Sequence, residues 1–477
     1  MLRQLKRLNG DEEGLALIVS LMVAFVVLML STIVVAQSIH SLETSGYDRR
    51  RLTSVNAAEA GTNDFWQYLQ TTEFADLECT NRSATLSSEP ADSAYTASVT
   101  FYRADGSTPV SCPLTTADVP AYVKVESTGT AEGETARTME TYAALTPIYS
   151  GFGAAIMAVN GTSFNNNFQV NGQSGNDGDV YILNGNLTIT SSPVIYGNVY
   201  VPNGSATLSN NSEIKGDLWA NGTVTVNNPS KVSGNAKSTT GNVAGSGTVV
   251  GDATATGTTP ISTVDGSRYP GTNPGPVPTQ TFPQITSSTT TFTNAGYNLI
   301  TFSGTGTAPC TSAYNYIHNT GAGTWATSGF TNIVIRIVTT SGAPCNFTNA
   351  NNDVFTVRGN LAIINDGGFN LSQRSNWNGT SSPIKNVYFI SPYSAAACTG
   401  TKDIIVGNNT NFDSFANVFF YTPCTATMSN TNAFAGQVLA GTVSLSNQFL
   451  MTFKPVLVPG YGDVVGFEQS ISYVREV

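Results

Sequence analysis

Hydrophobic positions follow three rhythms along this chain, and each marks a different kind of element. Residues 15–36 carry no charge and are mostly apolar. A helix over those positions rises about 33 Å, enough to cross a bilayer. No Pro or Gly occurs from 15 to 42, and the first glycine after Gly14 is Gly46. Beyond it Leu52, Val55, Ala58 and Trp66 recur at helical spacings. The pattern predicts one helix of about 50 residues, bent near Gly46. Its first half is apolar all round, and its amphipathic second half packs on a globular head.

The period then drops to two. Positions 95–102, 121–127 and 137–142 alternate apolar and polar, and the last two segments are joined through Gly129 to Gly133. This predicts a small antiparallel β head over 71–148 with a hairpin at its centre. A third rhythm comes next. Glycine with Asp or Asn after it recurs at Gly178, Gly197, Gly216, Gly234 and Gly251, at spacings of 19, 19, 18 and 17. A second glycine follows each of the first four, at Gly185, Gly204, Gly222 and Gly241, and short strands alternate between them. Three short strands in each repeat predict one coil of a parallel β-solenoid. Gly and Asn are expected at the corners in left-handed conformations.

The organisation expected is therefore α+β: a leader over 1–14, a helix over 15–70, the head over 71–148 and solenoid repeats over 149–257. Prolines crowd 258–300, from Pro260 to Pro283, and predict an excursion there. Strands return at 354–357, 360–364, 386–390, 403–406 and 417–421, and 436–445 repeats the coil pattern. Residues 301–477 read as the solenoid resumed, with a C-terminal cap from about Tyr461 onward.

Charge narrows the function. Asp, Glu, Lys and Arg make up 11% of the chain, where about 25% is usual. Residues 149–477 hold 11 basic and 13 acidic side chains. The net charge of −10 argues against a nucleic-acid partner, which needs a basic face. The six cysteines, Cys79, Cys112, Cys310, Cys345, Cys398 and Cys424, form no CxxC pair, and there are two histidines. That argues against zinc and for disulfides outside the cytoplasm. Six cysteines leave many connectivities open. The nearest-neighbour one joins Cys79 to Cys112, Cys310 to Cys345 and Cys398 to Cys424.

The start of the chain carries the sharpest signal. Arg3, Lys6 and Arg7 precede Glu12-Glu13-Gly14, and the apolar run comes after the glycine. A secretory signal has its small-residue cleavage site beyond the apolar stretch. A cut at Gly14 keeps the helix in the mature protein. The basic leader stays in the cytoplasm and the bulk goes outside. Four pieces in order, Gly14-Leu15-Ala16-Leu17-Ile18-Val19, Ser38-Ile39-His40, Asp48-Arg49-Arg50-Arg51 and Ala57-Ala58-Glu59-Ala60-Gly61, resemble the N-terminus of PilX-type minor pilins of Gram-positive type IV pilus systems. The resemblance covers about 60 residues.

It implies a prepilin peptidase that cuts between Gly14 and Leu15 and methylates Leu15. It also implies partners among pilin subunits and the assembly machinery, a membrane and cell-surface location, and no cofactor. Major pilins of the family have a glutamate five residues after the cut, where this chain has Val19. In the family that carboxylate neutralises a neighbour's N-terminal amine within the membrane. Its absence points to a minor subunit at the tip or at initiation. The solenoid is similar in kind to β-helical extensions behind such N-termini. An uncleaved signal anchor is the simpler alternative.

Because parallel β-helices include polysaccharide-acting enzymes, a membrane-anchored glycan enzyme is the rival function. It needs clustered carboxylates. Asp177, Asp179, Asp217, Asp252, Asp353, Asp366, Asp403 and Asp413 are spread thinly, and Asp179, Asp217 and Asp252 occupy the repeated corner position shared with Asn198 and Asn235. Asn176-Asp177-Gly178-Asp179 lacks the ordered ligand ladder of a Ca²⁺ loop. No catalytic motif is present, and no catalytic residue or metal ligand is assigned. His318 reads as isolated, and His40 and Glu59 as helix-surface residues. Arg49, Arg50 and Arg51 suit lipid headgroups, a partner helix or solvent. Tyr314, Tyr316, Trp325, Trp377 and Tyr393 lie among Asn, Thr and Gly. Exposed there, they would suit surface glycans, but ordinary loop packing is the favoured reading.

Overall fold

The computed structural model describes residues 5–477, apart from 73, 87–92, 104, 113, 115–118, 132–134, 150–151, 173–177, 381, 395–397, 399, 431–433 and 463; at 5–15, 75, 146–149, 464–465 and 468 it describes the backbone alone. The chain forms two compact units, one made of Met1–Ile148 with Val464–Val477 and the other of Tyr149–Asp463. The fold is α+β: a long N-terminal helix, a small antiparallel sheet and a large parallel solenoid.

In the first unit the helix is continuous over Leu5–Thr71, 67 residues, and passes through Gly46 without a break. It begins at Leu5, ahead of the expected start, and the expected bend is absent, because one glycine lowers helix propensity by only about 1 kcal/mol and no Gly or Pro follows from Tyr47 to Ala60. Leu52 stays exposed, while Ala57, Ala58, Phe65, Trp66 and Leu69 are buried. They meet Tyr95, Ala97, Phe101, Val123 and Val125, the inward positions of strands Ser93–Tyr102 and Tyr122–Thr130. These strands and Arg137–Tyr149 pair antiparallel, Val99 opposite Val125 and Val125 opposite Thr141. Gly133 of the expected hairpin lies outside the described residues.

Two strands of this sheet escape the sequence reading. Arg82–Leu86 adds to one edge. Val464–Glu476 adds to the other, beside Arg137–Tyr149. The C-terminal segment is therefore no solenoid cap. It returns to the head and completes its sheet, which makes the second unit an insertion within the first.

The second unit is the solenoid. Its first strand column runs through parallel pairs: Ile156 opposite Val180, then Val199, Leu218, Ala236, Ala253 and Arg268. A second column runs Phe164, Ile189, Leu208, Val226, and a third Val170, Ile195, Ile214, Val232. The residues named in the second and third columns are buried, as are Ile156 to Ala253 in the first. They stack in one continuous core, as one coil alone could not.

Three expectations about this unit are corrected. The solenoid does not stop at 257, because Ile261–Val264 and Arg268–Pro270 still pair with the coils before them. Nor does it resume where it stopped. Asn298–Thr305 pairs with Ile333–Ser341, and successive strands then stack through Leu361–Asn365, Lys385–Ile390 and Ala416–Ser429 to Phe434–Ser446. Phe434–Ser446 pairs with Ile156–Ala158, the first strand of the earlier stack. The order in space is thus 298–453 and then 154–270, with both chain connections at mid-length. Segment 271–297 crosses back over the outer side of the first column, where Ile285, Phe292 and Tyr297 are buried with Tyr388, Phe419, Tyr421 and Met157.

The third correction concerns the repeat glycines. Apart from Gly185, at φ 95°, they are not there for left-handed backbone. Cβ atoms on Gly197, Gly216, Gly234 and Gly251 would lie 2.4–2.6 Å from the carbonyl oxygen of the glycine one coil earlier. Close stacking excludes any side chain. Left-handed conformations occur at another corner, in the pairs Asn166–Asn167, Ser191–Ser192, Asn210–Asn211 and Asn447–Gln448, where Asn tolerates them best.

Candidate functional site

The uncovered part of the long helix is the first candidate. From Ala16 to Leu52 every residue is exposed except half-buried Gly46. The helix is apolar and long enough to cross a membrane, with mean hydropathy 2.9 in its most apolar window. Hydroxyls within this stretch turn back onto their own helix. Ser20 donates to the Leu17 carbonyl, Ser31 to Val27, Thr32 to Met29 and Ser38 to Val34, each at 2.8 Å. This satisfies polar groups that a hydrocarbon surrounding could not. Val19, 53% exposed, is one more apolar position on that surface. Gly14 and Leu15 lie on the continuous helix, and nothing of the side chains at 5–15 is described. His40 and Glu59 sit on the exposed surface as expected of helix positions. Arg51 reaches Glu476 at 3.6 Å.

The helix is seated on the head by small residues. A Cβ on Gly129 would fall 2.1 Å from the Ser54 carbonyl oxygen, and one on Gly61 would fall 2.3 Å from the Ser127 hydroxyl. The Ala57-Ala58-Glu59-Ala60-Gly61 stretch therefore allows helix and sheet backbones to approach closely. Arg82 fastens the next turn, pairing with Asp64 at 2.8 Å and lying 4.3 Å above the Tyr68 ring.

The solenoid carboxylates do structural work. Asp179 accepts the backbone N–H of Asn198, Asn198 that of Asp217, Asp217 that of Asn235, Asn235 that of Asp252 and Asp252 that of Ser267, all at 2.7–2.9 Å. One side-chain oxygen per coil thus links each corner to the next. Burial pushes the Asp217 carboxyl up, but the Lys237 ammonium at 2.8 Å and the Asn235 amide outweigh it, and the carboxyl stays ionised below its usual range. Asn332, Asn360 and Asn386 form a similar ladder in the other stack. Asn176 and Asp177 lie outside the described residues. Among the described residues no group of three His, Cys, Asp or Glu could hold a metal.

Packing, the favoured reading of the aromatics, holds for four of the five, and the alternative of an aromatic binding surface does not form. Trp325 and Trp377 are 1% and 0% exposed, and Tyr314 and Tyr316 pack partly buried on the core. Trp377 stacks on Phe355 with ring centres 4.0 Å apart. Tyr393 alone of the five is an exposed side chain. His318 is not isolated either. It stacks on Tyr314 and lies 3.5 Å from Asp353. Asp353 also accepts the Tyr314 hydroxyl, and burial with that carboxylate pushes the phenol up to about 12. The cluster fastens the helix Ala308–His318 over the core.

The six cysteines are joined as Cys79–Cys112, Cys310–Cys345 and Cys398–Cys424. The sequence reading missed the contacts of the last strand. Alternation over 470–473 was the available signal.

No family model matches this chain, and no curated protein matches it. Among solved structures it is similar to the competence-associated pilin ComZ from Thermus thermophilus, at 10% identity over 89% of this chain and 97% of that one, with a TM-score of 0.27. It is also similar to an ice binding protein from an Antarctic bacterium, Flavobacteriaceae, at 12% identity over 64% of this chain and 98% of that one, with a TM-score of 0.13. Superpositions this slight decide neither fold nor function.

Proposed function

We propose that this chain is a minor pilin-like structural subunit of a type IV pilus system, placed at the tip or at initiation, that displays its β-solenoid outside the cell. The supporting observation is the single helix. Its first part is uncovered and apolar, and its second part is packed on an antiparallel sheet. An uncovered apolar surface of this size is stable only in a bilayer or against other apolar helices. The basic leader and the Glu12-Glu13-Gly14 junction before it favour processing over a plain anchor. Val19 favours a minor position.

The partners proposed are other pilin subunits, the assembly machinery, a prepilin peptidase and the membrane. The solenoid is proposed to act by surface contact and without catalysis, since its described corner carboxylates are engaged in the coil ladder. Its ligand class stays with neutral surfaces such as glycans, in keeping with its low charge.

Sequencing the mature N-terminus tests the reading. We expect a chain that begins at Leu15 with a methylated amine, and loss of the cut in Gly14→Val. A mature chain that begins at Met1 would overturn pilin processing and leave the anchor.

A further inference from the structure

We infer that the solenoid closes at one non-covalent seam and that Gln437 is its latch. Within each stack, neighbouring coils are joined by their own corners. The strands Phe434–Ser446 and Ile156–Ala158 are adjacent in space but belong to opposite ends of the inserted unit. Hydrogen-bond partners across this seam are 281–285 residues apart, against 17–19 for the corner ladder from Asp179 to Asp252. Closing so long a loop costs more entropy than closing one coil. The seam is therefore the joint at which the two stacks dock after each has formed.

The corner ladder explains why a special residue stands there. Asp179 precedes Val180, and Val180 is aligned with Ile156. The ladder position in the first coil is thus Ala155, which has no side-chain oxygen. Val438 is aligned with the same Ile156 from the other side, so Gln437 occupies that column one coil further on. Its longer arm does what the short ladder residues cannot. The amide nitrogen donates to the carbonyls of Phe152 and Ala154, at 2.7 Å for the second, and the amide oxygen accepts the Val456 N–H at 2.8 Å.

The side chain is 0% exposed. One buried amide so holds the incoming segment at 152–154 and the outgoing one at 456. Of the other side-chain bonds across the seam, Asn160 to Thr442 at 3.5 Å and Asn166 to Asn447 at 3.0 Å are exposed, and the buried one, from the Thr162 hydroxyl to the Val443 carbonyl, joins the two strand stacks without reaching either chain connection. Loss of the Gln437 amide would strand the Ala154 carbonyl and the Val456 N–H away from water, which costs more than loss of an exposed bond.

Hydrogen exchange followed by mass spectrometry on the full chain in detergent tests this, whether or not the subunit enters a filament. In Gln437→Leu we expect exchange in peptides over 152–158, 434–440 and 454–458 to rise about ten- to a hundredfold, with peptides over 199–249 unchanged. Gln437→Asn keeps an amide on a shorter arm and is expected to give the same local rise. Unchanged exchange at the three segments, an equal rise over 199–249, or loss of the whole fold in both variants would each overturn the latch.

Discussion

The hydroxyl of Tyr473 donates to the Glu140 carboxylate at 2.8 Å, across 333 residues of sequence. Arg475 pairs with the same carboxylate, and the Tyr473 and Tyr142 rings stack 5.7 Å apart. Glu476 faces Arg137 at 3.3 Å, and the Val477 N–H bonds the Thr138 carbonyl. These contacts bind the last strand to a head that begins before the solenoid.

Deletion of 464–477 should therefore damage the head and spare the solenoid. The edge of Arg137–Tyr149 would lose its partner, and Phe467 would leave the contact with Phe74. Limited proteolysis should cut within 74–148 first, with a resistant fragment over 154–453. A head as resistant as in the intact chain would show that the strand is dispensable.

Acid should loosen the same strand. The Tyr473 hydroxyl, with Arg475, holds the Glu140 carboxyl below its ordinary range despite its burial. A carboxyl depressed by folding contributes stability above its ordinary value, and the contribution is lost as pH falls through the depressed one. Exchange in peptides over 137–145 and 466–477 should rise as the pH drops below about 4. In Glu140→Gln the rise should be present already at neutral pH and lose most of its pH dependence.

The glycine at the helix–sheet contact should be intolerant. Gly129→Val would push carbon atoms into the Ser54 carbonyl and the Ala58 amide. Overpacking of this kind typically costs about 1–3 kcal/mol. A thermal melt of the head should shift down, while the solenoid transition stays in place.

Trp377 separates a binding surface from a core. Buried between Phe355 and Phe412, it should cost about 3–5 kcal/mol when changed to Ala. Tyr393→Ala, at an exposed site, should leave denaturant unfolding nearly unchanged. Equal, small effects from the two would contradict the packing described.

The repeat was legible because a coil is a local object. Glycine at each close approach and Asp or Asn after it recur at the coil length, so spacing alone located Val180, Val199, Leu218, Ala236 and Ala253 in one column. The aromatics were not legible in this way. Trp325 and Trp377 lie among polar residues in sequence, yet Trp377 is turned inward on a coil strand between Phe355 and Phe412, and Trp325 is buried from a short turn packed on the core. His318 met Asp353 only because the helix Ala308–His318 packs over the end coil of that stack, against strands up to Asp353–Val357.

The chain by itself determined the elements: an uncharged run long enough for a membrane, alternating strands, and a stacking repeat. Each arises from contacts between near neighbours in sequence, where backbone geometry and side-chain periodicity suffice. Tertiary structure decided which elements become neighbours. It returned Val464–Glu476 to the head, set 298–453 against the first coil, and gave Gln437 its partners on both chain connections. Those choices rest on strand edges and buried polar groups seeking partners hundreds of residues away, and local pattern holds no record of such distances.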